Sequence, residues 1–153
     1  MCGRYVAVAD RSKIERQFDA RPVDGEALAP DFNVAPTKKV YAVLDRHDER
    51  ELKIVRWGLI PSWAKDPKIG SRMINARLES ASSKPSFRAA WKKRRALIPA
   101  DGYYEWYTPQ TGPDSPTKPA KQPYYIHPRD GSLMSMAGLY EIWRDPTVAD
   151  DDD

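Results

Sequence analysis

The second residue of the chain carries two groups that can react together. Cys2 is the only cysteine in the sequence and directly follows Met1. Removal of Met1 would leave Cys2 with a free α-amine beside the carbon that bears its thiol. An α-amine titrates near ~7.7–8.0 and a thiol near ~8.5, so both groups have a reactive fraction at neutral pH.

An amine and a thiol on one residue have two chemical uses. In the first, the thiolate attacks an acyl carbon while the amine acts as its base, which is N-terminal nucleophile hydrolysis. In the second, the amine condenses with an aldehyde to an imine, and the thiol closes a five-membered thiazolidine ring on the imine carbon. The structural alternative is a small apolar residue at the start of a strand. The position of Cys2 in the sequence does not distinguish between these three roles.

Motifs for other chemistries are missing from the sequence. It contains no GxxxxGK[ST] and no GxGxxG after a strand, the usual phosphate-binding loops, and no GxSxG or HExxH. One cysteine and two scattered histidines, His47 and His127, are too few for a structural zinc site. We therefore expect neither a metal nor a cofactor.

Positive charge is concentrated in one stretch of the chain. The formal net charge is +3, but five of the acidic residues lie in the last nine positions, so residues 1–144 carry 25 basic against 17 acidic residues. Arg72–Arg95 alone holds eight basic residues against the single acid Glu79. Such a density is typical of a polyanion contact, because each neutralised phosphate releases counterions. The alternative is a solvated helix face.

Length and composition define the class of protein. A chain of 153 residues and 17.4 kDa corresponds to one domain, which we place at residues 1–153. A hydrophobic content of 41% excludes wholesale disorder, and a mean hydropathy of −0.72 excludes a membrane-embedded chain. The N-terminus does not have the pattern of a secretory signal. A single cysteine fits a reducing compartment such as the cytoplasm.

The local patterns predict an α+β fold with a mostly antiparallel, barrel-like sheet and a few flanking helices. Short runs rich in Tyr and Val predict strands. These are Cys2–Val8, Val40–Leu44, Leu52–Trp57, Arg95–Pro99, Tyr103–Tyr107, Tyr124–His127 and Leu133–Trp143. Two helices are predicted, one capped by Asp10 and running to about Phe18, the other over about Pro85–Lys93. Pro109–Pro123 is predicted to be an extended insertion in a hairpin, and Pro128–Gly131 is predicted to be a hairpin turn.

Five blocks in the sequence together resemble one family, the SOS-response-associated peptidase family, also called abasic-site processing proteins. They occur in the family's order and span the chain from residue 2 to about residue 143. The blocks are Cys2-Gly-Arg-Tyr5, Asn33-Val-Ala-Pro36, Arg56-Trp-Gly-Leu-Ile-Pro-Ser-Trp63, Ile74-Asn-Ala-Arg77 and Ala100-Asp-Gly-Tyr-Tyr-Glu-Trp106. The resemblance implies a sensor that cross-links to abasic sites in single-stranded DNA as a thiazolidine, on a β-rich, barrel-like fold with a basic channel.

The resemblance also implies roles for individual residues. Cys2 matches the nucleophile, Asn75 the asparagine that orients the opened sugar, and Glu105 the glutamate that assists proton transfer. If Ile74–Arg77 is a strand, Asn75 and Arg77 face the same way and line one groove. The expected DNA contacts are Arg4, Trp63, Arg77, Lys92, Lys93, Arg94 and Arg95. Trp57 and Trp91 lie in periodic apolar patterns and are expected in the core.

The resemblance fails at one place. The family pattern includes a histidine in a later His-x-Arg-Met-Pro block that this sequence does not contain, and His127 precedes the strand that the family histidine follows. We therefore expect a domain without the family's C-terminal segment. Two other functions stay open: an N-terminal-cysteine peptidase that removes its own leader, and a module that binds single-stranded DNA without covalency. We expect a monomer with no membrane partner.

Overall fold

The computed structural model describes residues 3–22, 25–46, 48–110 and 119–148. Its strands form two four-stranded sheets, and every strand pair within them is antiparallel. The strands are β1 (Tyr5–Ala7), β2 (Asp31–Val34), β3 (Lys39–Arg46), β4 (Glu49–Arg56), β5 (Arg95–Ala100), β6 (Gly102–Tyr107), β7 (Gln122–Ile126) and β8 (Met134–Leu139). Sheet A has the order β2-β1-β6-β7 and sheet B the order β4-β3-β5-β8. The predicted α+β class is confirmed.

Sheet B is built around β3, which is buried on both faces. Tyr41 and Val43 pack with Ile14 and Phe18 of the first helix, while Val40 packs on the opposite side against Tyr5 of sheet A. Successive strand residues point to opposite faces, so burial on both sides requires an unbroken apolar run. Residues 40–44 form that run.

Helix α1 (Arg11–Phe18) matches its prediction. The Asp10 carboxylate accepts a hydrogen bond from the Lys13 N–H at 2.8 Å and caps the first turn. The helix ends at Asp19, which has a left-handed conformation with φ 49°. The Gln17 amide both donates to and accepts from the backbone of Leu133, at 2.9 and 3.0 Å, and so fixes the helix to the segment before β8.

The second predicted helix is shorter than expected. Helix α3 (Arg88–Lys93) begins three residues after Pro85, because Lys84–Phe87 forms a turn in which the Phe87 N–H donates to the Lys84 carbonyl at 3.0 Å. Trp91 packs in a core cluster with Phe87 and Leu59, and Trp57 packs in a second cluster with Tyr5. The predicted core role of both tryptophans is confirmed.

Two predictions about the C-terminal half need correction. Pro128–Gly131 forms a turn in which the Gly131 N–H donates to the Pro128 carbonyl at 3.4 Å, but the strands it joins pair in different sheets, so it does not close a hairpin. The last strand ends at Leu139 and not at Trp143, because its partner β5 begins at Arg95, opposite Leu139. The proline-rich insertion was expected to lie within a hairpin, and strands β6 and β7 form that hairpin. Residues 111–118 of the insertion lie outside the described ranges.

Three short elements were not predicted. They are β2, a 3-10 helix at Pro67–Arg72 and helix α2 (Leu78–Ala81). Elements of four to six residues are shorter than the window in which hydrophobic periodicity can be recognised. Within the described part of the chain, no helix is long and apolar enough to cross a membrane.

Candidate nucleic-acid and lesion site

Strand β1 brings the start of the chain to Glu105. Tyr5 lies opposite Tyr103, and the Tyr104 N–H donates to the Arg4 carbonyl at 3.0 Å. Arg4 is thus held beside Tyr104, the residue that precedes Glu105. Cys2, the expected nucleophile, lies outside the described residues.

Glu105 lies in the middle of β6 and is half-buried. It pairs with Tyr124 of β7 and lines an open depression of about 380 Å³ together with Trp106, Tyr107, Tyr124 and Ile126. The site therefore places a carboxylate against aromatic and aliphatic groups at the β6–β7 end of sheet A.

Two glycines hold the Asn75 segment against the Trp57–Trp63 segment. Gly58 has φ +127°, and a Cβ atom there would lie 2.5 Å from the Gly70 carbonyl oxygen. A Cβ on Gly70 would lie 2.9 Å from the Gly58 oxygen. Because neither position has a side chain, the backbones meet, and the Leu59 N–H donates to the Met73 carbonyl at 3.1 Å.

Trp57 links this segment to β1. Its ring packs edge-on against Tyr5 at 5.5 Å between centroids, and its indole N–H donates to the Ile74 carbonyl at 2.8 Å. Ile74 immediately precedes Asn75, which is exposed. The path from Tyr5 through Trp57 thus connects the Asn75 segment to the strand that leads to Cys2.

Ile74–Arg77 is not a strand, so the condition under which Asn75 and Arg77 would line one groove is not met. The stretch has no regular secondary structure, and Arg77 precedes helix α2 at its N-terminal cap. The 3-10 helix ends at Arg72 and α2 begins at Leu78, which leaves too few residues for a paired strand. The alternation of strand side chains therefore does not decide where Asn75 and Arg77 point.

Arg4 is held by a polar chain on β2 that the sequence reasoning missed. Its guanidinium donates to the Asn33 side-chain oxygen at 2.9 Å. Asp31 accepts from the Asn33 N–H at 2.8 Å and from the Lys38 ammonium at 2.6 Å. The Lys38 ammonium, followed by the Asn33 N–H, lowers the pKa of the Asp31 carboxyl. Asn33 belongs to the matched Asn33-Val-Ala-Pro36 block, and this was the sequence signal that could have identified it as part of the site.

Asp101 and Gly102 build the β1–β6 junction. The Asp101 carboxylate accepts from the N–H groups of Val8 and Ala9 at 2.7 and 3.0 Å, which ends β1. A Cβ on Gly102 would lie 2.5 Å from the Tyr125 ring, so this position must be glycine for β7 to approach. Burial, the Asp101 charge and Tyr104 raise the pKa of the Tyr125 hydroxyl.

The basic residues of the 72–95 stretch do not share one environment. Arg77, Lys92, Lys93 and Arg95 are exposed. Arg94 is half-buried and donates to the Glu141 carboxylate at 2.8 Å, while its carbonyl accepts from the Tyr140 N–H at 3.0 Å. The side chain of Glu141 is only 6% exposed, so Arg94 joins α3 to the segment after β8.

Trp63 presents an exposed ring on a fixed backbone. Its side chain is 59% exposed, whereas its neighbour Ala64 is buried. The Ala64 carbonyl accepts a hydrogen bond from the Trp143 indole N–H at 2.7 Å. An exposed aromatic ring with a restrained backbone is suited to stacking on a base.

The described residues contain no group of three or more His, Cys, Asp or Glu side chains that could hold a metal ion. His127 stacks on Tyr125 at 4.9 Å with an interplanar angle of 17°. It directly follows the edge strand β7 and precedes the turn at Pro128–Gly131.

Comparison with known proteins extends over nearly the whole chain. The family model described as SOS response associated peptidase (SRAP) matches residues 1–152. The abasic site processing protein YoqW of Bacillus subtilis is 41% identical over 150 residues, which are 95% of this chain and 62% of YoqW. The abasic site processing protein YoaM of the same organism is 42% identical over 145 residues, 94% of this chain and 60% of YoaM.

Solved structures agree with these matches. A crystal structure of a protein from Bacteroides thetaiotaomicron superimposes with a TM-score of 0.76 at 27% identity, covering 95% of this chain and 62% of that one. The chain thus spans about three-fifths of the length of the relatives it matches. By the extent of the family match and the shared fold, the chain belongs to the SOS response associated peptidase (SRAP) family.

Proposed function

We propose that the chain recognises abasic sites in single-stranded DNA and bonds to them covalently through Cys2 after Met1 is removed. The names of the relatives YoqW and YoaM support action on abasic sites. The observation that supports the covalent step is the pairing of β1 with β6, which continues to a hydrogen bond between Arg4 and Tyr104, the residue before Glu105.

Arg4 lies two residues after Cys2 in the sequence, and its bond to Tyr104 holds this part of the chain close to Glu105. Consecutive Cα atoms are ~3.8 Å apart, and Cys2 is bonded directly to Gly3. An acid–base carboxyl near an N-terminal amine and thiol would be suited to imine chemistry on an aldehyde. Three of the matched blocks, those of Cys2, Asn75 and Glu105, then contribute to one site through the contacts of Tyr5 and Trp57.

Formation of a thiazolidine from Cys2 and the abasic-site aldehyde requires no oxidant and no metal. The abasic sugar opens from its hemiacetal to the aldehyde, with Glu105 moving the proton. The Cys2 amine adds to the aldehyde carbon and water leaves, which gives an imine. The Cys2 sulfur then adds to the imine carbon while the nitrogen takes up a proton. The product is a thiazolidine, and one water is released in total.

Other residues would bind the strand. Asn75 would orient the opened sugar by hydrogen bonds. Arg4, already held by Asn33, and Arg77, exposed at the start of α2, would contact phosphates. Trp63 would stack on a base beside the lesion.

The exposed cations of the α3 region would extend this track. Lys92, Lys93 and Arg95 have exposed side chains that a DNA strand could approach. Arg94 would have to share its guanidinium with Glu141, so we expect its contribution to phosphate binding to be the smallest of the four. The chain is proposed to act as a monomer.

A peptidase is the second candidate, favoured by the description of the family model. In this case Cys2 would serve mainly to release the residue before it. Mass spectrometry of the purified chain tests this step, because retention of Met1 would count against both candidates.

The covalent proposal is tested with a single-stranded oligonucleotide that carries one abasic site. We expect a denaturation-resistant band of increased mass with this substrate and none with the intact-base oligonucleotide. Cys2→Ala should abolish the band without lowering the thermal midpoint. Cross-linking by Cys2→Ala would contradict the proposal. Salt-sensitive binding that is indifferent to the lesion and to Cys2 would instead support a non-covalent module.

A further inference from the structure

Trp63 lies in a short turn whose two ends are buried. The Ala64 N–H donates to the Pro61 carbonyl at 2.9 Å, which closes a turn over Ser62 and Trp63. Pro61 and Ala64 are buried, whereas Trp63 is 59% exposed. The turn therefore presents one large aromatic ring to solvent between two anchored residues.

A side chain from a distant part of the sequence holds this turn. The Trp143 indole N–H donates to the Ala64 carbonyl at 2.7 Å, across a separation of 79 residues. The indole N–H is the only hydrogen-bonding group of a tryptophan side chain. The polar group of Trp143 is thus used on the residue that directly follows Trp63.

Trp143 belongs to the bridging segment, which we define as residues 140–143, directly after β8. The first N–H of this segment donates to the Arg94 carbonyl at 3.0 Å. The Glu141 carboxylate accepts from the Arg94 guanidinium at 2.8 Å and from the Ile142 N–H at 2.9 Å. The backbone is therefore restrained up to the residue before Trp143.

The ion pair that anchors the bridging segment is largely withdrawn from water. The side chain of Glu141 is 6% exposed and that of Arg94 is 25% exposed. Salt screens partly buried ion pairs much less than exposed ones. The anchor should thus persist at salt concentrations that weaken contacts between exposed cations and phosphates.

One apolar cluster supports both the turn and the bridging segment. Leu59, two residues before Pro61, is buried with Phe87 and Ala90. Leu139, which immediately precedes the bridging segment, packs against the same cluster. The Trp143 bond to the turn therefore joins two segments that already start from a shared and rigid base.

We propose that Trp143 is a positioning residue for Trp63, because it fixes the turn that presents the Trp63 ring to a base of single-stranded DNA. A loop that becomes ordered only on binding loses conformational freedom, which weakens affinity. A turn that is already held loses less. The inference rests on the proposed function for its ligand, a single strand with a base stacked on Trp63, but it does not require the chemistry of Cys2.

A double-mutant cycle between Trp143 and Trp63 tests the coupling. Affinity for an intact-base single-stranded oligonucleotide is measured for the full chain, Trp143→Phe, Trp63→Ala and the double variant. We expect Trp63→Ala to weaken binding on the order of tenfold, and Trp143→Phe, which keeps a ring but removes the N–H, about threefold. In the Trp63→Ala background, Trp143→Phe should weaken binding no further, because no ring remains to be positioned.

Ile142→Ala is the matched control, because Ile142 is exposed and precedes Trp143 in the bridging segment. It should leave the affinity unchanged with and without Trp63. Equal weakening by Trp143→Phe in both backgrounds would overturn the proposal, since Trp143 would then act through the whole fold or contact DNA itself. Unchanged affinity in either single variant, or a coupling of Ile142→Ala to Trp63, would overturn it as well.

A measurement on the unaltered chain covers the case in which Trp143→Phe does not fold. The NMR order parameter of the Trp63 backbone amide should equal that of strand β3, about 0.85 for a rigid backbone. A lower value at Trp63 than in β3 would overturn the proposal, because the turn would then be mobile despite its bond to Trp143.

This inference and the proposed function fail in different ways. If Trp143 and Trp63 are coupled but no cross-link forms with an abasic oligonucleotide, Trp143 keeps its positioning role in a non-covalent binding module. If the cross-link forms but the two tryptophans are not coupled, the covalent proposal stands and the role of Trp143 is overturned.

Discussion

Strands β3 and β7 are both rich in apolar residues, yet one is enclosed and the other is open. Residues 40–44 of β3 are all buried, between α1 on one side and sheet A on the other. All five residues of β7 are exposed, and the strand forms the edge of sheet A. The same residue types therefore serve as a scaffold in sheet B and as an accessible surface in sheet A.

This difference in burial separates the residues that stabilise the fold from the residues of the proposed site. The core residues of sheet B pack against α1, while sheet A contains Glu105 and β1, the strand that follows Arg4. Glu105, which belongs to the proposed site, lies in the open sheet A and not in the enclosed sheet B. Changes in sheet B should thus affect unfolding, and changes in sheet A should affect binding and chemistry.

The largest expected effect is on the sheet B core. Leu52 is 0% exposed and packs against α1, so Leu52→Ala should lower the free energy of unfolding by about 2–5 kcal/mol. Ile126→Ala removes a similar side chain from the open surface and should cost under about 1 kcal/mol. Urea denaturation measures both. Equal losses would show that β7 is as enclosed as β3, against the comparison.

A substitution at the contact between the two glycines should come next. Gly58→Ala places a methyl group against the Gly70 carbonyl at a positive φ, and we expect it to cost about 3 kcal/mol and to displace the Asn75 segment. Gly131→Ala is the control, since Gly131 also has a positive φ but nothing lies within 4 Å of the added Cβ. It should cost only about 1 kcal/mol. Thermal unfolding of both variants checks the difference; similar losses would mean that strain, and not contact, dominates.

The smallest expected effect concerns the basic stretch. Lys93→Ala should reduce the slope of log affinity against log salt by about 0.7 for a single strand, because one phosphate contact is lost. Arg94→Gln should leave the slope nearly unchanged and lower the denaturation midpoint, because Arg94 pairs with Glu141. Fluorescence titrations with an intact oligonucleotide at several salt concentrations test both. A reduced slope for Arg94→Gln and an unchanged slope for Lys93→Ala would show instead that Arg94 contacts DNA and Lys93 does not.

Local signals predicted much of the fold. The Asp10 cap and the Ile14–Phe18 spacing located α1, and the run rich in Tyr and Val at Val40–Leu44 located β3. These local signals could not show which strands share a sheet. Pro128–Gly131 has the residues of a hairpin turn, yet the strands on either side of it belong to different sheets. Pairing of distant strands depends on the whole core and not on the turn.

The candidate site was predictable as a set of segments but not as a set of contacts. The matched blocks named Asn75 and Glu105. The bond of Asn33 to Arg4, and the contacts of Trp57 and Gly58 with the chain before Asn75, join residues distant in the sequence and could not be predicted. The ion pair of Arg94 could not be inferred either, because its partner Glu141 lies 47 residues away in the sequence.

The central claim is that Cys2 forms a thiazolidine beside Glu105. The most direct test is the intact mass of the adduct formed with an abasic oligonucleotide, without any reducing agent. The expected mass is that of the chain without Met1 plus the oligonucleotide, less one water, with Cys2 as the modified residue in the digested product. An adduct that retains Met1, that maps to a lysine, or that survives only after borohydride reduction would contradict the claim.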